Sequence, residues 1–493
     1  MKLLKKIPFF LFLLVLFFCL HGSLENYGYI SAGEVAEVGL TALLCITVLF
    51  GICWLLTGKN YLPASLICFF IALWYMFFGA IHDWVRNIEW LYLINPYSAM
   101  IPVLIVCTIA FVYILKRYTS LQPRLFFYLN ILMVIYCLVD GYLILNKSLT
   151  AKRNTAPSNT SFDISKVKAR PNVYVLLFDC YAGYTSLQDS FDYKNDSLYS
   201  FLAQRSFKIL PAFSNYNFTF FSMASMFNMQ YITEDYQAKV AVQEDMQKRV
   251  NEIRNGEVFS IFSSMQYNIE NYSIFDIKQM RGVSKTNTIV PMHSYLITNK
   301  IFHNRLILDL GYLFYKINYF NRKHIFEHDI DNKTAYDKTM ATIEKAGVSP
   351  KFVYAHFLMP HAPYFKDSLG NYLPVSQFNV GSKKNYLSYL KYTNKIIKEI
   401  ITKITTYDPQ AIVLLTSDHG YNDKGTVRRY GPAQIAAEQY SFNSICAVRF
   451  PDKQFDVDRP VISNVNIFRY LFNSQFGQQF PYLKDSTVWV NHD

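Results

Sequence analysis

The chain has 493 residues, 52% of them hydrophobic and 17% aromatic, ample for a large buried core, and its apolar residues crowd the first third. Six of its eight cysteines (Cys19, Cys45, Cys53, Cys68, Cys107 and Cys137) lie inside apolar runs, which excludes a disulfide framework and leaves open only whether Cys180 and Cys446 pair. The net charge is +12; eight basic and six acidic side chains precede residue 147, so about +10 falls on the remainder, a surface suited to anionic lipid headgroups or glycans.

Five nearly uncharged apolar runs come first, at 7–22, 38–57, 61–81, 98–115 and 125–145, each close to the roughly 20 residues that cross a bilayer. The competing reading of the first run is a signal peptide, since Lys2, Lys5 and Lys6 precede it, but no Ala-x-Ala cleavage site follows. Lys2, Lys5 and Lys6, then Lys59, then Lys116, Arg117 and Arg124 fall on alternate sides of successive runs, which marks that side as cytoplasmic. Five crossings then put everything after about residue 146 outside, where nucleic acid is a poor partner. Asp140 near the end of the fifth run is an acid at membrane depth, a functional candidate by default although a paired or solvated role suits its interfacial position better.

Residues 147–170 are polar without a sustained apolar period and read as a linker. Three short apolar runs follow far apart, Val173–Phe178, Phe352–Phe357 and Ile412–Leu415, each with the look of a strand buried on both faces. Residues 384–405 repeat apolar positions at three and four and predict a helix. Strands alternating with helices imply an α/β domain with a mostly parallel sheet, whose ligand site belongs at the carboxyl ends of the strands. The section from about 235 to 350 carries no motif. The expected organisation is a membrane domain over 1–146, a linker over 147–170 and an exported domain over 171–493.

All three strands end in candidate chemistry: Asp179 after the first, His361 shortly after the second, and Ser417-Asp418-His419-Gly420 after the third. Two carboxylates and an imidazole are adequate ligands for one divalent cation, and the mixture suits Zn²⁺ or Mn²⁺ better than Ca²⁺. Each residue alone more often caps a helix or holds a loop; the joint pattern is what points to a metal.

Four blocks together resemble the alkaline phosphatase/sulfatase superfamily, in particular its membrane-bound phosphoethanolamine transferases and lipoteichoic acid synthases: Arg170 to Asp179, Thr219 to Asn228, His356 to Tyr364, and Ile412 to Gly420 with its Asp-His-Gly signature. The resemblance implies five transmembrane helices followed by a sulfatase-like α/β domain, in a multi-pass protein of the bacterial inner membrane with the catalytic domain on the periplasmic side. It implies a metal held by Asp179, Thr219, Asp418 and His419, with Thr219 as nucleophile and His361 and His356 contacting the substrate phosphate. The implied activity moves a phosphoryl-bearing headgroup from a membrane lipid donor to an exported glycan or lipid acceptor.

The chain departs from that pattern in three places. Asp179 stands where the transferases usually have Glu, Cys180 where sulfatases usually have a second Asp, and no histidine follows His419 until His492. The sulfatase Cys/Ser-x-Pro-x-Arg motif is absent near 219. Two alternatives therefore stand beside the transferase: a hydrolase of phosphate or sulfate esters, and an inactive scaffold that keeps the fold. Ser222 and Ser225 are reserve nucleophiles, Cys180 reads as a small buried residue, and Arg428 and Arg429 could hold an anionic substrate or sit in a solvated loop.

Overall fold

Each apolar run of the first third is helical: α1 (Phe9–Glu25), α2 (Ala32–Leu56), α3 (Tyr61–Met76), α4 (Phe78–Arg86), α5 (Tyr97–Arg117) and α6 (Leu121–Arg153). The computed structural model describes residues 6–27, 30, 32–86, 88–153, 162–234, 241, 243–278, 280–283, 295–310, 326–345, 350–374, 377, 382–421, 440–456 and 461–491. It divides into two units, Met1–Ala156 with Thr288–Arg322, and Pro157–Asn287 with Lys323–Asp493.

In the first unit, α2, α5 and α6 are each long and apolar enough to cross a membrane, and α3 with α4 makes a fourth candidate bent by 60° at the break. The fifth, α1, has 17 residues, about 26 Å of helix against a hydrocarbon layer of about 30 Å. Of the five expected spans, three are helices long and apolar enough to cross a membrane and a fourth is the bent pair, while α1 falls short of that length. These helices anchor the chain as an integral membrane protein. Phe10, Leu14, Val15 and Phe18 of α1 are buried among their neighbours. Asn130 of α6 accepts the Phe10 N–H at 2.8 Å and donates to the Ile7 carbonyl at 3.0 Å, satisfying backbone groups at the start of α1 that no helical turn can reach. Asp140 pairs with His21 Nδ1 at 3.0 Å, a paired acid as its position suggested.

Two stretches bear on the boundaries expected from the sequence. Residues 288–322, assigned above to the exported domain, group with the apolar helices. The Lys300 carbonyl accepts the Gly79 N–H at 2.7 Å, and a Cβ on Gly79 would stand only 2.9 Å from the Lys300 Cα, so the close approach requires glycine. Lys300 and Arg305 both reach Asp83, at 3.1 and 2.6 Å. The expected linker is also partly ordered: α6 continues to Arg153, and Gln478 exchanges two hydrogen bonds of 2.9 Å with the Asp163 backbone. Residues 154–161 lie outside the described residues.

The second unit is built on β1 (Val173–Phe178), β2 (Lys208–Ile209), β3 (Ala212–Phe213), β4 (Asn268–Tyr272), β5 (Lys351–Phe357), β6 (Ile412–Thr416), β7 (Asn443–Ser444), β8 (Cys446–Arg449) and β9 (Ile462–Ser463). The main sheet has the order β2-β8-β6-β1-β5-β4, with β6, β1, β5 and β4 mutually parallel. The strands β1, β5 and β6 are the three read from the sequence, and every residue in them is buried. Alternate side chains enter different cores: Val173, Val175, Leu177, Phe352 and Tyr354 on one face, Tyr174, Leu176, Phe178, Val353 and Ala355 on the other. Burial on both faces is why these runs are continuously apolar. The helix foreseen at 384–405 spans Lys383–Tyr407, with the Ser382 hydroxyl accepting the Asn385 N–H at 3.2 Å as its cap.

Candidate metal centre and active site

The register Leu177↔His356 and Leu177↔Thr416 ends the three central strands at one level, so the residues that follow them share one edge. Asp179 carries the ladder one step further, its N–H donating to the Phe357 carbonyl at 2.9 Å. Cys180 then takes a left-handed conformation (φ 63°), which turns its N–H onto Asp418 Oδ1 at 3.1 Å. After β6, Gly420 donates to the Ser441 carbonyl at 2.7 Å. A Cβ there would stand 2.2 Å from the Asn443 carbonyl oxygen, so the third residue of the Asp-His-Gly block can only be glycine.

Asp179, Asp418 and His419 offer ligand atoms that all lie within 4.8 Å of one another, and all three residues are buried. His419 Nε2 stands 3.3 Å from Asp418 Oδ2 and 4.0 Å from Asp179 Oδ1. Those two carboxylate oxygens are buried without a hydrogen-bond donor. The opposite ring nitrogen of His419, Nδ1, meets the Gly420 carbonyl at 2.7 Å. With the proton on Nδ1, Nε2 presents a lone pair to the same space as the carboxylates, the usual arrangement of a metal-binding imidazole. Two orphaned oxygens and a directed nitrogen fit a divalent cation. Burial opposes charge on His419, but the Asp418 carboxylate, helped by Cys180 and Asp179, raises its pKa well above the ordinary histidine value. Burial likewise opposes ionisation of Asp179, and the imidazoles of His361, His356 and His419 outweigh it and hold that carboxyl well below the usual range.

Thr219 is the first residue of the helix Thr219–Asn228, and its Oγ1 stands 3.5 Å from His419 Nε2. The N-terminal residue of this helix is thus the one that meets the cluster. The two reserve serines are engaged elsewhere. Ser222 Oγ donates to the Asp418 carbonyl at 2.5 Å, and Ser225 Oγ donates to the Gln230 carbonyl at 2.7 Å; both are buried. Asn464, at the start of the helix Asn464–Phe476, ties the parts together. Its Nδ2 donates to the Ser417 and Asp418 carbonyls at 3.0 Å each and approaches Ser222 Oγ at 3.2 Å.

The histidines divide. His356 on β5 has a side chain with 0% exposure; its Nε2 stands 3.4 Å from Asp179 Oδ2 and its Nδ1 3.0 Å from the Tyr354 hydroxyl. It faces a metal-ligand candidate from inside the protein, with no open surface for a substrate. His361 is half-buried and bonds the Ala362 carbonyl through Nδ1 at 2.5 Å. His328, in the stretch where the sequence offered no motif, brings its ring centre to 5.9 Å from that of His361. The helix Glu327–Glu344 that carries it is bound to the loop after β5 by Asn332 donating to the Leu358 carbonyl at 3.2 Å and by Lys366 on Asp329 at 2.7 Å. Sequence reading missed His328, Asn464 and Tyr354; only Tyr354 left a signal, since residues two apart on a strand share a face. Arg428, Arg429 and His492 lie outside the described residues. Cys180 and Cys446 are buried and free.

The model of the sulfatase family matches residues 183–473. The chain belongs to the sulfatase family. The match covers Thr219, His356, His361, Asp418 and His419, and begins four residues after Asp179. This sulfatase-family chain is an enzyme of the alkaline phosphatase/sulfatase superfamily, with apolar helices ahead of the catalytic fold. Among solved structures it is similar to the C-terminal periplasmic domain of EcEptC from Escherichia coli, at 12% identity and a TM-score of 0.41 over 68% of this chain and 94% of that one. The phosphonate monoester hydrolase of Agrobacterium radiobacter gives 12% identity and a TM-score of 0.37 over 62% and 73%. No curated protein matches the chain.

Proposed function

We propose that the chain is a membrane-anchored, metal-dependent transferase that moves a phosphoryl-bearing headgroup, such as phosphoethanolamine or phosphoglycerol, from a membrane lipid to an exported glycan or lipid through a covalent intermediate on Thr219. The observation that carries the reading is the meeting of the Thr219 hydroxyl with His419 Nε2 at 3.5 Å, beside two buried, unpartnered carboxylate oxygens. Asp179, Asp418, His419 and Thr219 would hold one divalent cation, Zn²⁺ or Mn²⁺. That ion supplies stabilisation of the threonine alkoxide and of charge on the phosphoryl oxygens.

In the first half-reaction Thr219 Oγ forms a bond to phosphorus as the bond from phosphorus to the lipid glycerol oxygen breaks, and the hydroxyl proton leaves with the diacylglycerol. In the second, an acceptor hydroxyl attacks the same phosphorus, and its proton returns to Thr219 Oγ. A helix N-terminus at Thr219 would favour charge on the transferring group, and His361, with the His328 ring beside it, would bond its oxygens. Burial of His356 favours a role in orienting Asp179 over the substrate contact that the resemblance implies. A bilayer-resident donor accounts for the membrane anchor, which a soluble ester would not require.

The test is peptide mass spectrometry on metal-loaded, full-length protein purified from its membrane, wild type against Thr219→Ala. A phosphoryl-bearing adduct on the Thr219 peptide, absent from the variant, is the expected result, and its mass names the group. Metal-loaded wild type that releases the free headgroup from lipid and never carries the adduct would instead establish hydrolysis. Protein that binds no metal at all would establish the inactive scaffold.

A further inference from the structure

A second concave site lies within the membrane unit. A groove of about 470 Å³ runs between α2 and α3 and is covered at one end by residues 298–304. Its walls include Thr41 and Cys45 of α2, Ala72 and Tyr75 of α3, and Ile301 and His303 of the covering segment. Its volume is that of a small-molecule site, and its lining is mostly apolar. The groove lies on a helix long and apolar enough to cross a membrane, whose Leu40, Leu44 and Val48, next in sequence to the lining residues, are 69, 67 and 57% exposed. Its occupant is therefore drawn from the bilayer.

One end is polar. The Tyr75 hydroxyl meets His303 Nδ1 at 2.8 Å, and Asn304 donates to the Thr298 carbonyl at 3.0 Å. With the tyrosine donating, His303 Nε2 carries its proton and becomes a donor at the mouth of the groove. The basic-loop pattern places this end, near the start of α2 and the close of α3, on the outer side of the membrane. We propose that the groove binds one acyl chain of a diacyl phospholipid, with the ester region of that lipid at the Tyr75–His303 end.

The physics separates filling from selection. An acyl chain gains no hydrophobic energy by leaving the bilayer for another apolar surface. Its contribution is to restore packing contacts that an empty groove forfeits, and preference for one lipid must come from the polar end. The covering segment lies inside the span of the sulfatase match, so a lipid in the groove would touch residues within that match. The inference deepens the transferase reading, because it names where a lipid donor is held, but the groove can bind lipid whether or not Thr219 reacts.

The test uses full-length protein reconstituted with a diacyl phosphatidylethanolamine bearing a photoactivatable group in one acyl chain, with crosslinked peptides mapped by mass spectrometry. Crosslinks should concentrate on the peptides of 37–49, 71–76 and 298–304. Cys45→Trp, which fills the groove from an exposed position, should reduce them several-fold by occupying the space in which the acyl chain packs. Val48→Trp, on the lipid-facing surface outside the groove, should not. Equal labelling of all lipid-facing peptides, unaffected by Cys45→Trp, would overturn the proposal and leave only annular lipid. Crosslinking needs no turnover, so a groove that labels in a protein lacking any Thr219 adduct would sink the transferase reading and keep this one.

Discussion

Removing His356 should weaken metal binding and leave the substrate contact in place. Its Nε2 stands 3.4 Å from Asp179 Oδ2, and Tyr354 fixes the ring from the other side at 3.0 Å. A hydrogen bond to a charged acceptor contributes about 1.5–3 kcal/mol, and the long contact argues for the lower end. About 1.5 kcal/mol is roughly tenfold in affinity, in line with the loss usual when the outer partner of a metal ligand is removed. His356→Ala should therefore raise the metal dissociation constant about tenfold or more. Tyr354→Phe, which removes only the ring's orienting bond, should raise it a few-fold. The assay is competition with a chromophoric chelator on detergent-purified protein, with thermal melts of the same samples to separate loss of ligation from loss of fold. The reasoning fails if His356→Ala binds metal as wild type does but raises the KM for the lipid donor. That outcome would restore His356 to the substrate-binding role that its motif implies.

Asn464→Ala should lower stability by about 1–3 kcal/mol, because the Ser417 and Asp418 carbonyls lose the donor they share; a melting temperature equal to wild type would show that the tie carries no energy. For metal binding, the sign follows from the two shifted groups. The raised His419 stabilises the metal-free fold below the ordinary imidazole pKa of about 6.5, and that contribution is lost as pH rises through its folded value. The depressed Asp179 contributes above the ordinary carboxylate value of about 3.9, and its contribution is lost as pH falls through its folded value. Metal must displace the proton on His419, so affinity measured by the same chelator competition should strengthen from about pH 6 to pH 8; a flat profile would remove His419 from the ligand set. Cys180 and Cys446 should both alkylate after denaturation without reductant, and burial that pushes the Cys446 thiol up to about 12 should keep that site slow in the native protein; a disulfide-linked peptide pair would contradict this.

The parts of the molecule that were legible in the sequence are those where one local rule dominates. Strands buried on both faces must be continuously apolar, so β1, β5 and β6 could be read directly, and with them the residues at their ends. The Asp-His-Gly block was legible as a family signature, and the fold supplies its reasons: a Cβ on Gly420 would stand 2.2 Å from the Asn443 carbonyl oxygen, and the carboxylate and imidazole converge with Asp179. What remained hidden depends on contacts across long separations. Asn464 lies 46 residues from Asp418 and reaches its backbone, a partnership no spacing rule marks. His328 reaches His361 because its helix is held to the loop after β5 by Asn332, Asp329 and Lys366, none of which forms a motif. The ties of Lys300 and Arg305 to the apolar helices were hidden for a related reason: they run through Gly79 and Asp83, two residues that look unremarkable in their own stretch. The short α1 was read as a full span because hydropathy measures apolarity and not what covers the helix.

The most specific departure from the transferase pattern, Asp179 in place of Glu, is explicable from the packing around it, and the explanation can be tested by reversal. Asp179 is 2% exposed, with His356 3.4 Å from one oxygen and His419 4.0 Å from the other. Lengthening the side chain by one methylene adds volume where none is free, at a cost of about 1–3 kcal/mol, and drives the carboxylate past the position from which it meets Asp418 and His419. The imidazole and tyrosine behind Asp179 occupy the depth that a longer ligand would use from the opposite direction. Asp179→Glu should therefore weaken metal binding about tenfold or more, even though it restores the residue usual in that branch. If Asp179→Glu instead binds metal as tightly as wild type, the carboxylate is not packed against His356 as described, and the ordering of this centre from the inside outward would have to be abandoned.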